Sequence, residues 1–145
     1  MIILDTDHFN ILQIGKGPAY DALSARMDAS PDQRFATTVI TFEEHMRGWL
    51  AGIRRARNVV NQVRPYDQLI NLVRFFQAWE ILRFDERSAT RFSTLRQQRV
   101  QIGTLDLKIA SIALENEATL LSANARDFTQ VPNLRVENWL HATVE

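Results

Sequence analysis

The chain has 145 residues, and its 17 basic residues balance its 17 acidic ones, so the net charge by itself predicts no polyanionic partner. That length suits one domain with a substantial core. Cysteine is absent, which excludes disulfides and thiolate metal sites and agrees with a reducing, cytoplasmic location. We expect neither a secretion signal nor a membrane segment, because the N-terminus lacks a basic flank and no apolar run is long enough to span a bilayer.

The chain opens with a short apolar run that leads directly into two acids, Met1-Ile-Ile-Leu-Asp5-Thr-Asp7. Such a run is typical of a strand that is buried on both faces of a sheet, which places Asp5 at or just past the carboxyl end of the strand. In open α/β sheets, ligands bind at that end. The alternative is that Asp5 and Asp7 start a turn and cap the next helix. The stretch alone does not decide between the two.

Two predicted helices and a second predicted strand follow the opening motif along the chain. Residues 7–14 and 20–27 are predicted helices, and residues 35–40 are a predicted strand because they end in β-branched residues. The segment Thr41-Phe-Glu-Glu44 matches a capping box, which predicts that the third helix opens there.

The next helix is predicted to start near Pro65, and its segment 69–79 is apolar over more than half of its circumference. So wide a face is either sandwiched in the core or meets another subunit or partner. The remaining predicted elements are a strand at 81–85, a helix that runs through 99, a helix at 105–116, a strand at 118–122 and a last short strand at 131–136.

Strands that alternate with helices predict a parallel sheet covered on both faces. The sequence contains no repeat, low-complexity tract or linker. We therefore predict a single α/β domain over residues 1–145, with a central, mostly parallel sheet of four to five strands flanked by helices on both faces.

Further polar groups follow the predicted strands. Glu44 lies in the first turn of one helix, Asp106 lies in the first turn of another, and the run Ser122-Ala-Asn124-Ala-Arg126-Asp127 follows the fourth strand. The carboxyl ends of parallel strands share one edge, so we expect these groups and Asp5 to meet there. Carboxylates that gather repel one another unless a cation lies between them, and all-oxygen ligands suit Mg²⁺ or Mn²⁺.

Each acid also has an ordinary structural explanation. Glu44 could complete the capping box, Asp106 could be a first-turn acid that the helix dipole stabilises, and Asp127 could cap a turn. We favour a shared site because coincidence at several junctions of one edge is less expected than at one. Glu44 is preferred over Glu43, since the two point about 100° apart around the helix and Glu43 shares its side with apolar residues.

Together these motifs resemble those of PIN domains, in particular the VapC-type toxins of bacterial toxin–antitoxin pairs. The likeness covers nearly the whole chain in order. It is carried by Ile3-Leu-Asp5-Thr-Asp7, Ile40-Thr-Phe-Glu-Glu44-His-Met-Arg-Gly48, Ile102-Gly-Thr-Leu-Asp106-Leu-Lys-Ile-Ala110, Leu121-Ser-Ala-Asn124-Ala-Arg-Asp127-Phe128 and Val131-Pro-Asn-Leu-Arg-Val-Glu-Asn-Trp139.

The resemblance implies a Mg²⁺- or Mn²⁺-dependent endoribonuclease that hydrolyses phosphodiester bonds of an RNA such as tRNA or rRNA, and that acts as the toxin of a VapBC-type pair. It implies catalytic and metal-binding carboxylates at Asp5, Glu44 and Asp106. It also implies a homodimer and a small cognate antitoxin, and the apolar segment 69–79 could serve either contact if it is not buried in its own core.

The fourth position of the motif departs from the simplest pattern of the family. Asn124 stands where members often carry an acid, so the resemblance implies a weaker, neutral oxygen ligand there, with Asp127 supplying the remaining charge. Asp7, where members often carry asparagine, is an accessory residue. Arg126 and Thr104 are also expected to be accessory, Arg126 by positioning the RNA backbone.

Two other hypotheses remain open. A phosphatase of the haloacid dehalogenase type also opens with a strand and Asp-x-Asp, but it requires a hydroxyl residue where this chain has Phe9, and a late lysine, whereas none follows Lys108. A catalytically impaired PIN-fold binding module is weakly favoured by Asn124 and opposed by the other acids. We interpret the three histidines as ordinary surface or packing residues: His8, His45 and His141.

Overall fold

The computed structural model describes residues 1–141 of the chain, and its strands form one parallel sheet. Its strands are β1 (Ile2–Leu4), β2 (Phe35–Thr38), β3 (Glu80–Leu82), β4 (Thr119–Leu121) and β5 (Arg135–Glu137). They lie in the order β3-β2-β1-β4-β5, and every neighbouring pair is parallel. The predicted fold class is confirmed, with five strands.

In the same described part of the chain, helices connect the strands. They are α1 (Thr6–Ile14), α2 (Pro18–Ala29), α3 (Val39–Arg55), α4 (Val63–Gln77), α5 (Glu86–Gln97), α6 (Thr104–Glu115) and α7 (Ala125–Phe128), with a short 3₁₀ turn at Val60–Gln62 before α4. None of these helices combines the length and the apolar character that crossing a bilayer requires.

The central strand β1 divides the core into two layers, because successive side chains of a strand point to opposite faces. Ile3 packs with apolar residues of α5 and α6. Ile2 and Leu4 pack on the other face, with residues of α1, α2 and α4. Burial on both faces is what the unbroken apolar run at the start of the chain requires.

Helix α4 has one buried side and one exposed side, so the predicted burial in the core is confirmed for part of its apolar surface, and the contact with another subunit or partner stays a prediction. On its inner side, Leu72 and Phe76 are buried in the second core layer. Its opposite side, which we term the outer face of α4, is exposed to solvent. The apolar residues of the outer face are Val63, Tyr66, Ile70 and Val73.

The predicted start of the third helix was wrong. Strand β2 ends at Thr38, which caps α3 because its side chain accepts a hydrogen bond from the Thr41 backbone N–H at 3.2 Å. Val39 and Ile40 favoured a strand by propensity, but Ile40 gains burial in the first core layer from the first helical turn. The Thr41 segment is therefore no capping box, and Glu44 lies in the second turn of the helix.

This cap can be tested by replacing Thr38 with valine, which keeps the shape and removes the hydroxyl. We expect a loss of about 1 kcal/mol in the free energy of unfolding, and roughly 3 °C in Tm, because a buried helix-terminal N–H loses its acceptor. Thr94→Val on the exposed side of α5 is the control, expected within about 0.5 kcal/mol of wild type. Equal effects of the two changes in urea unfolding would contradict the assignment.

Other element boundaries also differ from prediction. The third strand ends at Leu82 rather than 85, because Asp85 caps α5 by accepting a hydrogen bond from the Ser88 N–H at 2.9 Å. The last strand, β5, begins at Arg135 and ends at Glu137, so it shares only two residues with the strand predicted at 131–136. The four-residue helix α7 was not predicted, because so short a helix leaves no periodic signal in the sequence.

Candidate acidic site

Asp5 both caps α1 and lies at the carboxyl end of β1, so its predicted position is confirmed and its role in binding a ligand stays a prediction. It follows β1 directly and is only 4% exposed. Its Oδ1 accepts from the Thr6 N–H at 2.7 Å, and its Oδ2 accepts from the Ser122 hydroxyl at 2.7 Å. Ser122 follows β4, so this bond joins the ends of two neighbouring strands.

An open cavity of about 640 Å³ lies at this edge, and we term it the acidic cavity. It brings together the predicted residues Asp5, Asp7, Glu44, Asp106 and Asn124. None of its described lining residues is an arginine or lysine. The carboxylates therefore face one another with neither an arginine nor a lysine among the lining residues to neutralise them.

Glu44 reaches the acidic cavity from the second turn of α3. Its Oε1 accepts a hydrogen bond from the Thr6 hydroxyl at 3.0 Å. Burial raises the pKa of Glu44, although the Thr6 bond acts against this, and the charge of Asp106 raises it further. The neighbouring Glu43 is paired with Arg47 and lies outside the cavity.

Asp106 enters the acidic cavity from the first turn of α6. Burial raises its pKa, and the nearby charge of Asp127 adds to the effect. The amide nitrogen of Asn124 donates to Asp106 Oδ2 at 3.2 Å and to Asp127 Oδ2 at 3.1 Å. Asn124 therefore bridges two carboxylates that would otherwise repel, with its amide nitrogen rather than its oxygen turned toward them. That Asn124 and Asp127 bind a metal remains a prediction.

Asp7 is held from two sides by hydrogen bonds. Its Oδ1 lies 2.6 Å from Nδ1 of His8 and accepts from the His8 backbone N–H, while its Oδ2 accepts from the Ala123 N–H at 2.8 Å. Burial raises the pKa of Asp7, but the bonds from His8 and Ala123 outweigh burial, and the pKa is lowered.

His8 itself is completely buried. Its Nε2 accepts a hydrogen bond from the Trp139 backbone N–H at 3.0 Å, so in the neutral ring the proton is on Nδ1 and is donated to Asp7. The imidazole is a packing residue, as expected, but it also ties the acidic cavity to the segment after β5.

Two predicted accessory residues lie away from the acidic cavity. Thr104 is exposed at the start of α6, where its hydroxyl accepts from Arg96 Nη2 at 3.3 Å. Arg126 is exposed on α7 and does not line the cavity.

The sequence interpretation missed several lining residues: Thr6, Asn10, His45 and Trp49. Helical spacing could have found Asn10, which lies four residues after Thr6. His45 packs against the rings of Phe9 and Phe76, as a packing residue would, yet it also lines the cavity. No local signal identifies His45 or Trp49, because the cavity wall forms only where α3 approaches α1.

The electrostatics of the cavity favour a cation. Burial, followed by the charge of Asp7, raises the pKa of Asp5 to about 7. Together with Glu44 and Asp106 it forms a set of carboxylates that are costly to ionise and offer only oxygen donors, which suits a hard divalent ion. Within residues 1–141, however, no three acidic or histidine side chains already converge as a metal site. The donor chemistry fits Mg²⁺ or Mn²⁺, and binding would have to draw the side chains inward.

A separate cavity, of about 670 Å³, lies away from the acidic cavity, near the amino ends of β4 and β5. Arg91 and Arg135 line it, but both are engaged. Arg91 Nε donates to Glu115 at 2.8 Å, and Arg135 Nη2 donates to the Glu117 carbonyl at 2.7 Å. We assign no ligand to it.

No family model matches the chain. Among curated proteins, a segment of 69 residues is 38% identical to ribonuclease VapC2 of Rickettsia felis, and it covers 45% of this chain and 52% of that protein. The match therefore spans about half the length of the curated relative.

Solved structures extend the likeness to the whole fold. A chain of the VapBC2 structure from Rickettsia felis, bound to a DNA fragment from the promoter, is 25% identical with a TM-score of 0.67, covering 96% of this chain and 99% of that one. VapBC-1 of nontypeable Haemophilus influenzae gives 22% identity, a TM-score of 0.69 and coverages of 96% and 98%. FitAcB of Neisseria gonorrhoeae gives 20% identity, a TM-score of 0.70 and coverages of 97% of this chain and 99% of that one. The resemblance to VapC-type proteins that the motifs indicated is confirmed.

Proposed function

We propose that this chain is the toxin of a VapBC-type pair and acts as a Mg²⁺- or Mn²⁺-dependent endoribonuclease on RNA phosphodiester bonds. The observation that carries the proposal is the acidic cavity, in which Asp5, Glu44 and Asp106 all have raised pKa values and no described lining residue is an arginine or lysine. The similarity of the fold to chains of VapBC structures, and of one segment to a VapC ribonuclease, supports it.

Asp5 and Asp106 would hold the ion, with Glu44 as a third ligand. When bound, such an ion supplies an activated water and stabilises charge on the phosphoryl group. The protein's own residues prepare this chemistry. Ser122 and Thr6 orient the Asp5 carboxylate, and Thr6 also places Glu44 on the opposite wall, where it can accept a proton from the attacking water.

Asn124 would act chiefly by orientation. Its amide nitrogen donates to both Asp106 and Asp127 and so holds the two carboxylates near each other. A role as a neutral oxygen ligand would require the amide to turn over, which would leave both carboxylates without that donor.

The partners of the proposed toxin are its RNA substrate, a small cognate antitoxin and a second copy of the chain. The VapBC structures to which the fold is similar support the antitoxin. The outer face of α4 offers exposed apolar area for one of the two protein contacts. A cytoplasmic location agrees with an RNA substrate and with the lack of cysteine.

The direct test is cleavage of a mixture of tRNA and ribosomal RNA by purified, antitoxin-free protein with Mg²⁺ or Mn²⁺. We expect discrete fragments that EDTA abolishes and that Asp106→Asn does not produce. The matched control is Asp21→Asn, which changes an exposed aspartate on α2 and should cleave as wild type does. No cleavage by folded wild-type protein would favour the impaired binding module instead, and equal cleavage by Asp106→Asn would mean that the nuclease lies elsewhere.

Metal binding should depend on pH in a direction that the carboxylate pKa values set. The pKa of Asp5 is raised to about 7, so at pH 5.5 an ion must displace a proton that is mostly absent at pH 7.5. We expect millimolar Mn²⁺ to raise the Tm by several degrees at pH 7.5 and by much less at pH 5.5, since ligand binding stabilises by roughly 3 kcal/mol at a hundredfold excess over Kd. Differential scanning calorimetry checks this, and an equal shift at both pH values would contradict it.

A further inference from the structure

The acidic cavity continues into a second cavity of about 370 Å³ between α1, α3 and α4. The two share Asn10 and Trp49 as lining residues, so they form one cleft with a wall in common. The further lining residues of the second cavity are Gln13, Ile14, Arg64, Gln68, Asn71, Leu72 and Phe75. We infer that this second cavity, the amide pocket, binds the base of a single-stranded RNA nucleotide next to the bond that is cut. The inference rests on the proposed function and specifies its substrate.

The polar lining of the amide pocket matches the edge of a nucleobase. Asn10, Gln13, Gln68 and Asn71 are all carboxamides, and each offers both a donor and an acceptor, as the Watson–Crick edge of a base does. Two other amides of the chain, Gln33 and Gln62, donate to backbone carbonyls. Within residues 1–141 the four pocket amides make no such bond, so their hydrogen-bonding groups face a ligand or water.

Trp49 stands where the two cavities meet. Its indole is only partly exposed, because one side packs against the second core layer. A side chain fixed in this way is a firm stacking surface, and stacking of unpaired bases on aromatic rings is the common mode of single-stranded RNA recognition. A base that flanks the phosphate on the side of the amide pocket would lie next to this ring.

Arg64 supplies the charge that the acidic cavity lacks. Among the described residues that line the two cavities, it alone is cationic, and it lies in the first turn of α4, where the helix holds its backbone. Its guanidinium suits a phosphate that flanks the bound nucleotide, and such a contact gives affinity and register rather than base choice.

Apolar side chains complete the lining of the pocket. Leu72 is buried and Phe75 is half-buried, whereas Ile14 is exposed. A cavity that combines apolar side chains with a few converging polar groups is the usual form of a small-ligand site, and the volume of the amide pocket is of the size expected for one.

The inference is tested by cleavage of a randomised single-stranded RNA of about twelve nucleotides, with the products sequenced. We expect wild type to prefer particular bases at one position beside the cut. The double variant Gln68→Ala, Asn71→Ala should flatten that preference and lower kcat/KM on the preferred sequence roughly tenfold to hundredfold, because two hydrogen bonds to the base are lost. Its Mn²⁺-induced Tm shift should stay as in wild type.

Matched variants separate base binding from damage to the fold. Gln97→Ala removes an exposed amide on α5 and should retain both rate and preference. Trp49→Leu should raise KM, whereas Trp49→Phe, which keeps an aromatic ring, should restore most of the affinity.

The outcomes distinguish this inference from the proposed function. Wild type that cleaves the mixture of tRNA and ribosomal RNA but not the pool would overturn only the amide pocket, whereas no cleavage of either substrate would overturn both. Cleavage with a base preference that the double variant leaves unchanged would overturn only the amide pocket. Unchanged preference together with escape from inhibition by a cognate antitoxin would overturn it in favour of a polypeptide ligand in the same cleft.

Discussion

Replacing Asp5 with asparagine is expected to lower RNA cleavage by on the order of a thousandfold while raising the thermal stability of the metal-free protein at pH 7.5. Asparagine keeps the local hydrogen bonds. Its oxygen can accept from the Thr6 N–H, and its amide can donate to the Ser122 hydroxyl, whose own proton is then free for Asp7 Oδ2 at 3.4 Å. What disappears is a ligand charge, not a structural contact.

The stability gain follows from the direction of the pKa shift. A carboxyl whose pKa is raised in the folded state contributes stability below pH about 4, and that contribution is lost as the pH rises through the folded value. For Asp5 the folded value is about 7, compared with an ordinary value of 3.8, so the loss by pH 7.5 is on the order of 4 kcal/mol at most. Asparagine does not ionise and avoids this loss.

The measurement is thermal unfolding of both proteins at pH 7.5 and pH 4, with and without Mn²⁺. The variant should be the more stable at pH 7.5 without metal, the difference should shrink at pH 4, and Mn²⁺ should stabilise wild type alone. Asp21→Asn, an exposed change of the same chemistry, should leave all four conditions unaltered. A variant less stable than wild type at both pH values would show that Asp5 is a structural carboxylate.

Asp7→Asn is expected to cost about 2–4 kcal/mol of folding free energy, although proteins with this motif often carry asparagine there. Both oxygens of Asp7 accept hydrogen bonds, Oδ1 from His8 and Oδ2 from the Ala123 N–H. An asparagine has one oxygen, so whichever way the amide turns, its NH₂ group faces another donor. The ring of His8 cannot adapt by moving its proton, because Nε2 already accepts from Trp139.

Two substitutions of His8 check this explanation. His8→Asn places an amide nitrogen near the Nδ1 position and should keep the bond to Asp7, whereas His8→Gln reaches toward Trp139 and should lose it. In urea unfolding, the effects of Asp7→Asn and His8→Gln should therefore be far from additive, and those of Asp7→Asn and His8→Asn closer to additive. A stability for Asp7→Asn within about 0.5 kcal/mol of wild type would contradict the prediction.

The placement of the acids was predictable because each depended on a local rule. Asp5 ends an apolar run, and the end of a parallel strand fixes its edge of the sheet. Glu44 was separated from Glu43 by the 100° turn of the helix alone. The structure places Glu44 in the acidic cavity and Glu43 outside it.

The errors and omissions arose where tertiary contacts outweigh local preference. Val39 and Ile40 favour strands, yet burial of Ile40 and the Thr38 cap made them helical. Trp49 joined the cavity wall only because α3 packs beside α1. The direction of the Asn124 amide depends on Asp127, which α7 brings close through a turn that has no sequence period.

The hydrogen bond between Asp5 and Ser122 joins residues 117 positions apart. Closing so long a loop is entropically expensive and slow, and the neighbouring pairing of β1 with β4 demands the same closure. While the chain is being synthesised, its first hundred residues already carry Asp5 and Glu44 but not Asp106, Ser122 or Asn124. A nascent or proteolytically truncated N-terminal half would therefore contain two of the three principal acids and still lack the cavity, so the proposed cleavage of RNA would have to wait until most of the chain has been translated and folded.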